Sequence, residues 1–225
     1  PRSALLASSA ASDVYKRQEE DELFLTGFDQ SSALATLAPA ISRAERLLLF
    51  TKIIMAKPIE YGIEKLAANQ ACYLAQELAN LIDTVHNQGL SFDRLTDLVP
   101  EEYAVHWQET LKFLQIITEY WPQILAERQL IDASDRRNRL LRAQIDLWRQ
   151  NPPVKRIVAA GTTAAFPLMK ELVKTVLSLE KGELYLAGID KFLEDEAWEK
   201  IDETHPQHEL KELLDYLTVR REDIP

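Results

Sequence analysis

The highest local concentration of basic side chains lies in residues 136–149, where clustered guanidinium groups could bind the phosphates of a nucleic acid. The arginines of this segment are Arg136, Arg137, Arg139, Arg142 and Arg149. Helical spacing places Arg139, Arg142 and Arg149 on the side away from the apolar residues of the same segment. Acidic neighbours in the folded protein would neutralise these charges, which is the alternative interpretation. The first four arginines are therefore candidates for contact with DNA.

A second candidate for phosphate or DNA contact is the loop that contains Thr162 and Thr163. A phosphate-binding loop requires successive backbone amides, a lysine, and a Ser or Thr for magnesium, and the pattern GxxxxGK[ST] does not occur in this sequence. The two threonines supply hydroxyls without the lysine, so a plain tight turn is the alternative. The strand before the loop ends in Ala160-Gly161, where a nucleotide-driven motor carries acidic residues for magnesium. We therefore predict no catalytic, cofactor-binding or metal-binding residue in this chain.

Two further polar groups are interpreted as structural. His205 and His208 have a spacing found in metal sites, but Pro206 lies between them and no third ligand accompanies them. They predict a turn before a helix. The acidic residues of segment 194–203 are typical of a solvated helix face. Cys72 is the single cysteine, which excludes a disulfide framework or a cysteine-based cluster and indicates a reducing, cytoplasmic compartment.

Composition limits the classes of function. The 225 residues are 46% hydrophobic and carry a formal net charge of -10, so any contact with DNA must be local. No apolar run approaches the roughly 20 residues that a membrane-spanning helix requires. Residues 1–18 resemble a non-native leader, and both ends of the sequence have the character of cut ends.

Helical periodicity dominates residues 42–150. Ser42 and Glu45 form the pattern of a capping box, and the apolar positions that follow, including Leu48, Ile54 and Met55, predict one helix face. Later helices are predicted over residues 67–88, from residue 100 to a kink or break at Pro122, and from Asp132 to residue 148. We predict a leading segment with the first helix over 19–58 and a helical bundle over 59–150.

The pattern changes at residues 151–153, where Asn-Pro-Pro excludes helix. Residues 154–160 and 183–187 predict short buried strands, with a helix from Pro167 to residue 179 between them. Such a crossover predicts a parallel pair of strands, which needs further sheet from elsewhere in the protein or from a partner. A last helix is predicted over 208–217. The expected fold is mainly α, with residues 151–225 forming a small α/β part.

Long strings of this sequence resemble the double-strand break repair protein AddB family of the alphaproteobacterial type. The strings are GLSFDRL at 89–95, LVPEEYA at 98–104, HWQ at 106–108, WPQILAER at 121–128, DRRNRLL at 135–141, NPP at 151–153 and THPQH at 204–208. The resemblance covers nearly all of residues 19–225. It departs at residues 163–166, Thr-Ala-Ala-Phe, where the family loop is richer in glycine and serine.

This resemblance implies an N-terminal-side part of one subunit of a heterodimeric helicase–nuclease that resects broken DNA ends for homologous recombination. The implied partners are an AddA-like motor and nuclease subunit and DNA, as single strands or broken duplex ends. The family's iron–sulfur cluster and magnesium belong to a C-terminal nuclease domain outside this chain. By the same resemblance, residues 60–150 would be a helical insertion in a helicase-like domain, and residues 154–190 would return to an incomplete P-loop-NTPase-like sheet.

The leading hypothesis is a non-catalytic, helicase-like segment that shapes a DNA channel and contacts the motor subunit. One alternative is a helical protein-interaction module that never contacts DNA. Another is part of an ATP-using helicase whose catalytic motifs lie outside these residues.

Overall fold

The computed structural model describes residues 37–56, 66–92, 110 and 112–224. They are mainly helical, with one two-stranded parallel sheet. The chain forms two compact units, which we call the helical unit, Thr36–Arg139, and the mixed unit, which contains Leu140–Pro225. The boundary therefore falls inside a helix and ahead of the prolines at 152–153. Among the described helices, none combines the length and the apolar character needed to cross a bilayer.

The helical unit contains α1, Arg43–Ala56; α2, Ala68–Asn87; a π-helical segment, Ile116–Tyr120; α3, Trp121–Arg128; and the beginning of α4, Ala133–Gln150. The predicted start of α1 is confirmed, because the Ser42 hydroxyl oxygen accepts a hydrogen bond of 3.2 Å from the Glu45 amide. Gly89 follows α2 and has a φ of 65°, which is the left-handed conformation expected of a glycine directly after a helix. The predicted helix residues 100–109 lie outside the described residues.

The core of the helical unit lies between α1, α2 and the π-helical segment. Its buried residues are Ile41, Phe50, Ile54, Ala71, Ala75, Leu78, Ala79, Ile82, Ile116, Ile117 and Trp121. The ring centroids of Phe50 and Trp121 lie 4.2 Å apart. The predicted face of α1 is wrong in part, since Leu48 and Met55 are exposed while Arg46, Phe50 and Ile54 are buried. The face is rotated because the buried side of α1 includes a charged residue, Arg46, which a purely apolar pattern leaves out.

Pro122 does not interrupt the helical path. Proline lacks an amide hydrogen and its ring clashes with a carbonyl one turn earlier, so a break or kink was expected. The wider π-helical segment comes directly before Pro122, which lies in the first turn of α3, so the change of hydrogen-bond register at this point accommodates a residue without an amide hydrogen. The chain leaves α3 through Gln129, whose φ of 56° is left-handed.

The mixed unit contains the rest of α4; β1, Ile157–Ala160; α5, Pro167–Ser178; β2, Gly182–Tyr185; α6, Asp195–Glu199; α7, His208–Leu217; and a 3₁₀ turn, Arg221–Asp223. The predicted parallel pairing is confirmed, with Ile157 opposite Gly182 and Ala160 opposite Tyr185. Both strands are shorter than predicted, and α7 has the predicted bounds.

Two small apolar clusters support the elements of the mixed unit. One cluster joins α4 to α5 and consists of Leu141, Ile145, Leu168 and Leu172. The other joins the β1–α5 loop, α5 and α7, and consists of Ala164, Val173 and Leu213. The second cluster fixes the loop that follows the carboxyl end of β1, which is the end where the sequence placed candidate site residues.

Candidate functional site

Three arginines of α4, Arg139, Arg142 and Arg149, are exposed on the predicted side of the helix, and two of them are in ion pairs. Arg139 Nη2 lies 2.9 Å from Asp135 Oδ2, and Arg149 Nη2 lies 3.0 Å from Glu171 Oε1. Arg137 donates a hydrogen bond to the Asn87 side-chain oxygen. Neutralisation by neighbours, the alternative interpretation, therefore applies to Arg139 and Arg149. Exposed pairs of this kind contribute about 0–1 kcal/mol each, so a phosphate could replace the carboxylate.

Arg136 and Arg142 are the remaining arginines of this group. The Arg136 Nε is buried and has no hydrogen-bond partner within the described part of the chain. Arg142 is exposed, and no ion pair engages it among residues 37–56, 66–92 and 112–224. Arg142 is thus the candidate whose guanidinium is most available to an external anion.

The loop with Thr162 and Thr163 forms a tight turn. The Thr162 hydroxyl oxygen accepts a hydrogen bond of 3.0 Å from the Ala164 amide, and Gly161 and Ala164 both have positive φ angles, 68° and 51°. The Gly161 amide donates to the Tyr185 carbonyl oxygen at 3.2 Å, which continues the parallel pairing past β1. The Thr162 hydroxyl thus already serves the fold, and Thr163 is exposed. This geometry matches the plain tight turn.

A buried polar network in the helical unit was missed by the sequence reasoning. Its centre is the Arg46 guanidinium. Arg46 Nη1 lies 2.9 Å from Asp83 Oδ1, and Arg46 Nη2 donates a hydrogen bond of 3.1 Å to the Ala79 carbonyl oxygen. Arg46 Nε also lies 3.1 Å from Asp132 Oδ1, but out of line for a hydrogen bond. The spacing of Arg46 from Phe50 and Ile54 was the only sequence signal that this charge is buried.

The network continues from Asp132 and Asp83 to α3 and α4. Trp121 Nε1 donates to Asp132 Oδ2 at 2.8 Å, and the Ser134 hydroxyl donates to Asp83 Oδ1 at 2.8 Å. His86 Nδ1 lies 2.9 Å from the same hydroxyl. Since these groups come from α1, α2, α3 and the start of α4, the network fixes the packing of the helical unit. Ser134 and His86 are neighbours, but Ser134 is buried and its hydroxyl donates its proton to Asp83 and not to the imidazole, so we assign the network a structural role.

Asp132 gives the network a pH dependence. Burial raises the pKa of this carboxyl above its ordinary value of 3.8, while Arg46 and the Trp121 hydrogen bond act in the opposite direction. The folded protein then holds the proton more tightly than the unfolded chain. The stabilising contribution of the protonated carboxyl is complete below pH 3.8 and is lost as pH rises through the folded-state pKa.

We therefore expect the stability of the wild-type helical unit to decrease as pH rises, and we expect this decrease to be absent from the Asp132→Asn variant. Asparagine keeps an acceptor for Trp121 Nε1 but cannot ionise. The measurement is hydrogen exchange of α2 amides, corrected for intrinsic rates, between pH 4 and pH 7 in the wild type and the variant. The difference between the two profiles isolates Asp132 from exposed carboxyls such as Asp202, whose pKa is lowered by hydrogen bonds from Thr204. Identical profiles would contradict the assignment.

The two histidines lie at the start of α7. The His205 Nδ1 accepts a hydrogen bond of 3.1 Å from the Gln207 amide, and His208 Nε2 is 3.8 Å from Glu212 Oε1. This is the predicted turn before a helix. Over the described residues, no cluster of three or more His, Cys, Asp or Glu side chains could hold a metal ion. Among the acidic residues of 194–203, Asp195 and Glu199 are exposed on the short helix α6.

Comparison of the chain with models of known families, with curated proteins and with solved structures gave no match.

Proposed function

We propose that the chain is part of an AddB-like subunit of a cytoplasmic helicase–nuclease that resects broken DNA ends, where it shapes the DNA channel and contacts the motor subunit. The observation that carries this proposal is the parallel pair of β1 and β2 with its crossover helix α5. That order is typical of motor folds, yet β1 ends in Ala160-Gly161. A strand with this ending provides no carboxylate to hold magnesium, so the proposed role is non-catalytic.

The proposal assigns a place to each unit. The helices of the helical unit would form the bundle of a helicase-like insertion, and β1 and β2 would belong to a larger P-loop-NTPase-like sheet completed by the rest of the subunit. Within the described residues β1 and β2 pair only with each other, so the outer edge of each strand is open, which supports such completion. The family's iron–sulfur cluster and magnesium would lie in a nuclease domain outside this chain.

Contact with DNA is assigned first to Arg142, because its guanidinium is exposed and unpaired among the described residues. Arg139 and Arg149 can exchange their exposed carboxylate partners for phosphate oxygens, since both kinds of contact are charge-assisted. Arg136 and Arg137 contribute less, because one is partly buried and the other already binds Asn87. The Thr162 hydroxyl could contact DNA only if the tight turn opened, because it already accepts a hydrogen bond from the Ala164 amide. The Thr163 hydroxyl could contact DNA without such a change, because Thr163 is exposed.

We expect Arg142→Glu to weaken binding of forked DNA by the assembled complex about tenfold and to reduce the salt slope by about 1. The reason is that one phosphate contact is lost and one repulsion is gained. The measurement is fluorescence anisotropy with labelled forked DNA at several salt concentrations. Lys52→Glu is the matched control, because Lys52 is exposed on α1 and the substitution changes the net charge equally. Equal affinity losses in both variants, or none in either, would remove Arg142 from the DNA path.

A protein-interaction module without DNA contact is the second candidate function. It is favoured by the carboxylate partners of Arg139 and Arg149, which reduce the positive field of α4. Crosslinking in the assembled complex separates the two functions, since a docking role gives protein adducts only. The third alternative, an ATP-using helicase, predicts a lysine-bearing phosphate loop upstream of these residues, which sequencing of the full gene would reveal.

A further inference from the structure

We draw no further inference here: the strongest candidate, the solvent-exposed ring of Phe192 on the loop between β2 and α6, carries none because nothing in the structure shows what covers it.

Discussion

Replacing Arg46 with methionine is expected to destabilise the helical unit by about 3–5 kcal/mol. Methionine approximates the length and apolar stem of arginine but supplies no donor. Asp132, which is 3% exposed, would then lose the cationic neighbour that offsets the desolvation of its carboxyl group, and the Ala79 carbonyl and Asp83 would lose their contacts to the guanidinium. The cost comes mainly from charge left unpaired in the interior, since an intact buried pair contributes little.

The measurement for Arg46→Met is native-state hydrogen exchange of the α1 and α2 amides, which reports on this unit separately. Arg43→Met is the matched control, because Arg43 is exposed on the same helix; it should change stability by about 0.5 kcal/mol or less. Adding Asp132→Asn to Arg46→Met should restore part of the loss, with a coupling of about 0.5–3 kcal/mol. Equal effects of Arg43→Met and Arg46→Met would refute the role given to the network.

Most element boundaries could be predicted because they depend on chemistry within a few residues. The Ser42 hydroxyl caps α1, Gly89 takes the left-handed conformation after α2, and Pro167 begins α5. The parallel pairing of β1 and β2 also followed from local signals, since a helix between two short strands forces a crossover. Pro122 was expected to kink or break the helix; the helix continues through it as α3, and the π-helical segment that precedes it has no recognisable sequence pattern.

The candidate site was less predictable because its properties depend on contacts between distant residues. The arginines of α4 were found by composition, but the pairing of Arg149 with Glu171 requires the packing of α4 on α5. The contacts between Arg46, Asp83 and Asp132 join residues far apart in sequence, and no local pattern indicates them. The exposure of Phe192 could not be predicted either, since phenylalanine is a residue type that is usually buried.

Replacing Gly182 with alanine is expected to destabilise the mixed unit by about 3 kcal/mol, at the upper end of the cost of overpacking. A Cβ at this position would lie 1.7 Å from the Val176 carbonyl oxygen and 3.2 Å from the Leu179 Cβ. Gly182 is the first residue of β2 and pairs with Ile157, so any shift that relieves the clash also disturbs the parallel pair. Hydrogen exchange of the β1 amides measures the effect.

Two comparisons separate this clash from ordinary glycine effects. Gly161→Ala is the first, because Gly161 has a φ of 68° but open space around its Cβ position, so it should cost only about 1–2 kcal/mol through backbone strain. Adding Val176→Ala to Gly182→Ala is the second. The close contact is with the Val176 backbone oxygen, so shortening the Val176 side chain should give no rescue. Recovery of stability in that double variant would mean that side-chain crowding, and not the approach of the α5 backbone, makes glycine necessary at residue 182.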